Sequence, residues 1–357
     1  MGSKSIFLLQ MPILLATAAV CFGEPADPAP LSDQKDVKLL VLGASWAHGV
    51  IEDLPKISAA SGRNVEVRCM RNTGFKNYLK SIKLAETSPD DPESWVHLET
   101  DYKANVRVKE ELRSKPWDMV VIQRNSLVDN DIDEAVGTAG KLIDFIKKQA
   151  PQAKIGIYQT HAYRGDSELL PQVAPKGWPP GTPFTEEDSW DTTRTICKLI
   201  ARKYHVLLIP VGDAFEKVRL DKQWGWTAPD PGFDYTNPER DGCPEGEKNS
   251  LVIGFEWLPK DEADKADKSE RIYKVDDHPN NLGRYLYGAV FYESLFGDSV
   301  VGNSYVPEVS PEISDASGTD LDKKGNKPAT PERIQFLQQV THEAVSEATA
   351  NSCEKPQ

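Results

Sequence analysis

The chain has 357 residues, of which 39% are hydrophobic and 27% are charged, and its formal net charge is −13. This length is enough to bury a large core, and the composition excludes collagen, coiled-coil and wholly disordered chains. The acidic balance argues against nucleic acid or an anionic membrane surface as a partner.

Residues 1–23 have the pattern of a secretory signal peptide. Lys4 supplies a positive charge, an apolar run follows, and Cys21 and Gly23 are small residues of the kind that precede a cleavage site. We therefore predict export to the periplasm or the extracellular space, with no membrane contact after cleavage. A membrane anchor or a poorly ordered N-terminal helix is the alternative. Residues 24–36, rich in Pro and Asp, are predicted to be a linker.

The cysteine count allows a few disulfides but does not indicate a metal site. Removal of the leader leaves Cys69, Cys197, Cys243 and Cys353, enough for up to two disulfides, and the first two lie in apolar runs that suit buried thiols. Neither a Cys-x-x-Cys spacing nor a mixed His/Cys spacing indicates zinc. A glycine-rich loop of the Walker or dinucleotide type is also missing from the sequence. We therefore predict neither a metal nor a cofactor.

Five short apolar runs alternate with amphipathic stretches in the first two hundred residues that follow the predicted leader. Each run is rich in Val, Ile and Leu, as is typical of a strand buried on both faces. Strands alternating with helices predict an α/β fold, a three-layer α/β/α sandwich around a five-stranded, doubly wound parallel sheet of flavodoxin-like type. The runs are VKLLVLG (37–43), VEVRCM (65–70), DMVVIQ (118–123), AKIGIYQ (153–159) and HVLLIPVG (205–212).

The domain predicted from these runs spans residues 37–300. Amphipathic spacing predicts helices over 133–150 and 188–204 within it. Residues 213–270 are dense in Pro, Gly, Trp and acidic residues, and we predict that they form a long loop insertion. Residues 301–350 are predicted to form a polar loop and a C-terminal helix packed on the same domain.

Polar side chains follow four of the predicted strands at the point where each strand ends. In doubly wound sheets, ligands collect beyond the carboxyl ends of the strands, so these side chains are expected to face one place. They are Ser45 after the first strand, Asn72 after the second, Gln123 and Asn125 after the third, and Gln159 and His161 after the fourth; Gly74 also follows the second strand.

His278 is the second focus of the sequence. It follows two acidic residues and precedes Pro279 and a helical pattern with apolar residues on one face. We predict that a loop presents His278 just before a rigid helix, which suits a general base that must be held still.

In this order and spacing, the blocks resemble those of the SGNH (GDSL-type) hydrolase superfamily. The stretches WDMVVIQRNS, IPVGDAF and HPNNLGRYLYGAVFYESLFG are similar to a secreted bacterial branch related to carbohydrate acetylesterases. The resemblance covers residues 37–298. It implies a serine nucleophile at Ser45 with His278 as its general base.

The resemblance also implies an oxyanion hole. The backbone N–H groups of Ser45 and Gly74 would form it together with the side-chain amide of Gln123. Asn125 is the reserve candidate for the amide.

Two departures from the family pattern affect the site. The usual Gly-Asp-Ser turn reads Gly-Ala-Ser here, and the position three before the histidine, where the family places the orienting acid, is Val275. Asp276 or its neighbour Asp277 could take that role, and Asp276 is our prediction. The alternatives are a Ser–His dyad whose ring is oriented by a backbone carbonyl, and an inactive site.

Several residues are candidates for a substrate cleft: Trp46, Asn72, His161, Trp224 and Trp226. The two tryptophans of the 213–270 insertion could stack on sugar rings, or they could anchor that loop to the body by burying apolar area. Asn72 could equally be a turn residue, and His161 could equally be structural.

The function predicted from these features is that of an exported serine esterase. It would remove small acyl groups, with acetyl expected, from carbohydrate or related small-molecule esters through an acyl-enzyme. The same architecture would serve as an acyltransferase if the cleft excluded water. The alternative is a catalytically inactive carbohydrate-binding or scaffold protein of the same fold.

Overall fold

The computed structural model describes residues 30–100, 104–235, 244–259, 271–307 and 327–352. The predicted leader lies outside the described residues, as do Cys243 and Cys353. Cys69 and Cys197 are buried free thiols. Within the described ranges, none of the helices has the length and apolar character needed to cross a membrane.

The described residues form nine strands in two sheets. The strands are β1 (Asp36–Gly43), β2 (Asn64–Arg71), β3 (Val96–Leu98), β4 (Asn105–Val106), β5 (Met119–Gln123), β6 (Lys154–Tyr158), β7 (Leu207–Ile209), β8 (Val252–Pro259) and β9 (Arg271–Pro279). Seven of them make a central sheet in the order β4-β3-β2-β1-β5-β6-β7, and β8 pairs with β9 in a separate antiparallel hairpin.

The parallel part of the central sheet is doubly wound. Strand β1 pairs in parallel with both β2 and β5, and the chain continues outward through β6 and β7 on one side. The direction of winding therefore reverses beside β1, and in such sheets the crevice at this reversal is where ligands bind. Ser45 follows β1 directly, so the fold places it at that crevice.

Eight helices surround the sheet in the described residues. They are α1 (His48–Ala60), α2 (Gly74–Thr87), α3 (Val108–Ser114), α4 (Ile132–Gln149), α5 (Glu186–Tyr204), α6 (Val211–Arg219), α7 (Asn281–Phe296) and α8 (Pro331–Ser352). Together with the sheet they form three layers, and the predicted α/β/α class is confirmed.

Two hydrophobic cores lie on opposite faces of the central sheet. Leu39 and Val41 of β1 pack into the core that contains α1, α6, α7 and α8, whereas Leu40 and Leu42 pack into the core of α2 to α5. Since successive side chains of a strand point to opposite faces, the unbroken apolar run of β1 fills both cores at once.

Helices α1 and α7 cross at close range through two glycines. A Cβ atom on Gly49 would lie 2.8 Å from Arg284 Cα, and one on Gly288 would lie 2.8 Å from the backbone nitrogen of Leu54. Any side chain at these positions would push the helices apart. This contact matters for function because Ser45 lies just before α1 and His278 just before α7.

The number of strands differs from the prediction of five. The additional strands β3 and β4 extend the sheet at one edge and are antiparallel to their neighbours. They are three and two residues long, so they carry too few residues to show an apolar or alternating pattern.

The prediction of a loop insertion over residues 213–270 is also corrected. Strand β7 ends at Ile209, and helix α6 begins at Val211, so the start of the predicted loop is helical. Strand β8 lies in its second half and forms a hairpin with β9. Pro210 between β7 and α6 removes a backbone donor and ends the strand, where the apolar run alone suggested that it continued.

Candidate active site

The turn that carries Ser45 is held by the neighbouring strand. Strand β1 ends at Gly43, and a short 3₁₀ turn over Ser45–Ala47 leads into α1. The backbone N–H of Ala44 donates to Oε1 of Gln123, the last residue of β5, at 2.6 Å. A side chain from the strand beside β1 therefore fixes the backbone next to the serine.

A hydrogen-bonded chain links Ser45, His278 and Asp276. Ser45 Oγ lies 2.8 Å from His278 Nε2, and His278 Nδ1 lies 2.6 Å from Asp276 Oδ1. The same carboxylate oxygen also accepts a hydrogen bond from the backbone N–H of His278 at 2.9 Å. The histidine and aspartate side chains are 33% and 22% exposed, so a substrate can reach the pair.

The partners of the imidazole determine its tautomer. A carboxylate oxygen only accepts, so Nδ1 of neutral His278 carries the proton. Nε2 then has a free lone pair and accepts the hydrogen bond of the Ser45 hydroxyl. This is the tautomer that can remove a proton from the serine.

Asp276, and not the residue three before the histidine, contacts the ring. His278 lies within β9, not on a loop as predicted, and alternate residues of a strand face the same side. Asp276 and His278 are both partly exposed, whereas Val275 and Asp277 are buried, 3% and 5% exposed. Because the ladder of β8 and β9 shifts register between Asp276 and Pro279, the hydrogen bond to the ring identifies Asp276 more directly than alternation does.

Asp277 is committed to a different set of partners. Its Oδ1 accepts a hydrogen bond from the backbone N–H of Arg164 at 2.9 Å, and its Oδ2 accepts one from the Ser167 hydroxyl at 2.6 Å. Burial raises the pKa of Asp277 to about 6, because its effect is larger than that of the two hydrogen bonds, which lower the pKa. Asp277 thus ties the segment after β6 to the strand that carries His278.

Gly74 lies at the end of the strand next to β1. It is the first residue of α2 and has φ +74°, in the left-handed region that favours glycine. Asn72, two residues before Gly74, donates its backbone N–H to the Gly43 carbonyl at 3.0 Å. Its side chain donates to Ser81 Oγ and accepts the Thr73 N–H. Asn72 therefore acts as a turn residue that joins the ends of β1 and β2.

The two amide side chains after β5 have different environments. Gln123 is 3% exposed, and because its oxygen is held by the Ala44 N–H, the NH₂ group is the end of the amide left to donate. Asn125 accepts the Leu127 N–H with its own Oδ1 at 2.9 Å and so is part of a local turn. The structure thus places Gln123 at the serine turn and Asn125 in the loop beyond it.

His161 is buried beneath the site, 3% exposed. Its ring stacks between Trp46, with ring centroids 4.2 Å apart, and Phe215, 4.6 Å apart. Nε2 donates to the Asp277 carbonyl at 2.8 Å, so Nδ1 accepts from the Tyr287 hydroxyl at 2.8 Å. Burial lowers the pKa of His161 to about 3, which keeps the ring neutral. His161 therefore supports the backbone between Asp276 and His278.

The tryptophans of the predicted substrate cleft are packed against the body. Trp226 is 8% exposed and belongs to the core beside α7 and α8. Trp224 lies against α8, with the Arg333 guanidinium 5.3 Å from its ring centroid and the Phe336 ring 6.4 Å away. Trp46 is 9% exposed. This packing favours the hypothesis that Trp224 and Trp226 anchor the loop over the hypothesis that they stack on sugar rings.

Sequence reasoning missed several residues that hold the site together. Tyr287, Arg164 and Ser167 contact His161 or Asp277 from segments far away in the chain. Tyr287 reads as one apolar position of an amphipathic helix, and the other two lie in an irregular segment. No local pattern distinguishes such positions from ordinary core or turn residues.

The chain is similar to solved structures over most of its length. A DUF4886 family protein from Bacteroides uniformis covers 87% of this chain and 95% of its own, at 15% identity with a TM-score of 0.54. The two proteins share a fold. No protein-family model matches the sequence, and no curated protein does.

Two further solved structures are less similar. One is a candidate SGNH hydrolase from Slackia heliotrinireducens, at 17% identity, with 73% of this chain and 99% of that chain covered and a TM-score of 0.41. The other is a carbohydrate esterase family 2 enzyme plus carbohydrate binding domain from Corynascus thermopiles, at 14% identity and with a TM-score of 0.35. The match covers 77% of this chain and 68% of that chain.

A small pocket lined by His161 lies on the face formed with α5 and α6. Glu186, Arg164 and Arg219 are among its charged lining residues. Glu186 accepts the Gly165 N–H at 2.9 Å, and its nearest cation, Arg219, is 4.0 Å away. The pKa of Glu186 is raised from 4.5 to about 8, because the effect of burial is larger than the opposing effect of the Arg219 charge. With a pKa raised this far, Glu186 is expected to be mainly protonated at pH 7.

The raised pKa of Glu186 predicts that the protein becomes less stable as pH rises from 6 to 8. In this interval the folded chain keeps a proton that the unfolded chain has released, so the free energy of unfolding falls, by about 2 kcal/mol. Glu186→Gln should remove most of this fall. Thermal unfolding at pH 6, 7 and 8 measures it, and the exposed neighbour Glu187→Gln is the control. Equal pH dependence in all three proteins would contradict the assignment.

Proposed function

We propose that this protein is a serine esterase that works through an acyl-enzyme at Ser45. The observation that carries the proposal is the hydrogen-bonded chain of Ser45, His278 and Asp276, at 2.8 and 2.6 Å. A nucleophile within reach of a base that is itself oriented by an acid is the arrangement required for serine catalysis.

The first half of the reaction acylates the serine. Ser45 Oγ attacks the ester carbonyl carbon while His278 Nε2 takes the hydroxyl proton. The carbonyl oxygen becomes an oxyanion, which the Ser45 and Gly74 backbone N–H groups and the Gln123 amide stabilise. When the intermediate collapses, the bond to the alcohol oxygen breaks, and the protonated His278 gives its proton to that oxygen.

The second half returns the enzyme to its starting state. A water molecule attacks the acyl carbon while His278 Nε2 again takes a proton, and the second intermediate expels Ser45 Oγ, which is reprotonated from His278. Asp276 keeps the ring in the required tautomer and stabilises its positive charge in both halves. No step requires a metal or a cofactor.

The substrate class belongs to the proposal as well. The similarity of three sequence blocks to the carbohydrate esterase branch supports small acyl groups, acetyl first, on carbohydrate or related alcohols. The leader-like residues 1–23 support export to the periplasm or extracellular space. An acidic protein suits neutral ester substrates of this kind better than polyanions.

Covalent labelling tests the proposal without assuming a substrate. The purified protein is treated with a fluorophosphonate, and its mass is compared with that of Ser45→Ala; Ser61→Ala, at the opposite end of α1, is the matched control. We expect one adduct in the wild type and in Ser61→Ala and none in Ser45→Ala. The rates of hydrolysis of p-nitrophenyl acetate, butyrate and octanoate then show which acyl length the site prefers. A protein that neither reacts at Ser45 nor hydrolyses any ester is the inactive binding protein instead.

A further inference from the structure

Asp129 lies beside the proposed oxyanion hole but takes no part in the triad. It closes the loop that follows β5, and its side chain is 1% exposed. One carboxylate oxygen, Oδ2, accepts two backbone hydrogen bonds, from Phe75 at 3.0 Å and from Asn125 at 3.2 Å. Phe75 follows Gly74 directly, and Asn125 is two residues past Gln123. The carboxylate thus joins the two segments that carry the proposed oxyanion donors.

Asp129 supplies the cap that α2 lacks from its own sequence. The first N–H groups of a helix have no partner within the helix and are normally satisfied by the residue before it. Thr73 holds that position but makes no side-chain cap, and the N–H of Phe75 is bonded to Asp129 instead. The start of α2 is therefore oriented by a side chain from another strand end.

Gly74 is in direct contact with the same carboxylate. A Cβ atom built on Gly74 would lie 2.4 Å from Asp129 Oδ2 and 2.5 Å from Val128 Cγ2. Only a residue without a side chain lets the backbone come this close to Asp129. The close approach and the hydrogen bond to Phe75 fix Gly74 relative to the loop after β5.

The loop that carries Asp129 is itself fixed. The Asp129 N–H donates to the Asn125 carbonyl at 2.8 Å, and the Asp129 carbonyl accepts from Arg124 Nε at 2.9 Å. Arg124 is buried and also donates to Ser126 Oγ and to Thr193 Oγ1 on α5. The carboxylate is therefore presented by a braced turn and not by a free loop tip.

We propose that Asp129 is a positioning residue for the oxyanion hole: its carboxylate holds the Gly74 N–H and the end of β5 at the spacing that a tetrahedral intermediate requires. The inference rests on the esterase activity proposed above. Donors that are preorganised toward the developing charge stabilise the transition state, and a small displacement loses much of that effect.

The test compares Asp129→Ala with Asp129→Asn. Asparagine keeps an oxygen that can accept both N–H groups, whereas alanine keeps none. With p-nitrophenyl acetate we expect Asp129→Ala to lower kcat by about 10- to 100-fold with KM within about twofold, and Asp129→Asn to stay within about threefold of the wild type. Affinity for a small alkylboronic acid, which forms a tetrahedral adduct with the serine, should fall in step with kcat, while inhibition by acetate should not change.

A second readout separates this inference from the esterase proposal. Amide hydrogen exchange at Phe75 and Asn125 should become faster in Asp129→Ala and remain slow in Asp129→Asn, whether or not an ester is turned over. If the wild type is active and Asp129→Ala keeps its full kcat, the inference about Asp129 is overturned and the esterase proposal stands. The same conclusion follows if Asp129→Ala and Asp129→Asn lose kcat equally. An inactive, unlabelled wild type would overturn the esterase proposal and with it this role. If Asp129→Ala does not fold, Asp129→Ser, with its shorter acceptor, is measured against the same expectations.

Discussion

Replacing Ser45 with alanine is expected to lower kcat for ester hydrolysis by about four to six orders of magnitude. The substitution removes the hydroxyl oxygen that is proposed to attack the ester carbonyl, and it leaves the buried core untouched. His278→Ala should cost a similar factor, because the serine hydroxyl is a weak nucleophile without its base. The rates are measured on p-nitrophenyl acetate with protein expressed in an esterase-deficient host.

The double variant Ser45→Ala/His278→Ala distinguishes a joint mechanism from two independent effects. Groups that act as one unit lose their whole contribution when either is removed, so the double variant should be no slower than the single ones. Thermal unfolding midpoints close to that of the wild type would show that the losses are chemical. Losses that multiply, or a Ser45→Ala protein that keeps its activity, would refute the assignment of the nucleophile and base.

Asp276→Asn is expected to lower kcat by about 10²–10⁴-fold. The carboxamide has the shape of the carboxylate but lacks the negative charge that stabilises a protonated His278. Its NH₂ group can also face Nδ1 and favour the tautomer that carries its proton on Nε2. That tautomer cannot accept the Ser45 proton. We expect the loss in kcat to be larger than any change in KM. Both constants and the pH–rate profile are measured.

Asp277→Asn is the matched control for this prediction. It removes the same charge from the adjacent residue, but the Asp277 carboxylate faces Ser167 and the Arg164 N–H on the other side of the strand. We expect kcat within about tenfold of the wild type. If Asp277→Asn were the slower enzyme, the acid would have been assigned to the wrong residue. If neither substitution slowed the reaction, the site would operate as a Ser–His dyad.

The central fold could be predicted from the sequence because its signals are local. Residues 39–42, just before Gly43, are all apolar, as a doubly buried strand requires, and the polar residues at the strand ends indicate where a site can form. Ser45, Gln123 and His278 are each placed by a short block of this kind. Edge strands of two or three residues have no comparable signal.

The sequence predicts Asp276 as the acid but leaves Asp277 and a Ser–His dyad open, because the position of the acid depends on a hairpin. The sequence of 256–270 is highly charged, and we predict no strand on either side of it, so the hairpin of β8 and β9 that carries His278 is missed. In the structure, the hydrogen bond between Asp276 and the ring and the burial of Val275 and Asp277 select Asp276 over its neighbours. The burial of His161 and the role of Asp129 likewise arise from contacts between segments far apart in the chain.

The close crossing of α1 and α7 has a consequence for how the triad is encoded. Asp276 and His278 lie two residues apart on one strand, so their separation is a property of a single short segment. The separation of Ser45 from His278 is instead set by a helix interface, where Gly49 and Gly288 allow backbones to meet. A larger residue at Gly49 or Gly288 would therefore change the distance from Ser45 to His278 and leave the contact between His278 and Asp276 as it is.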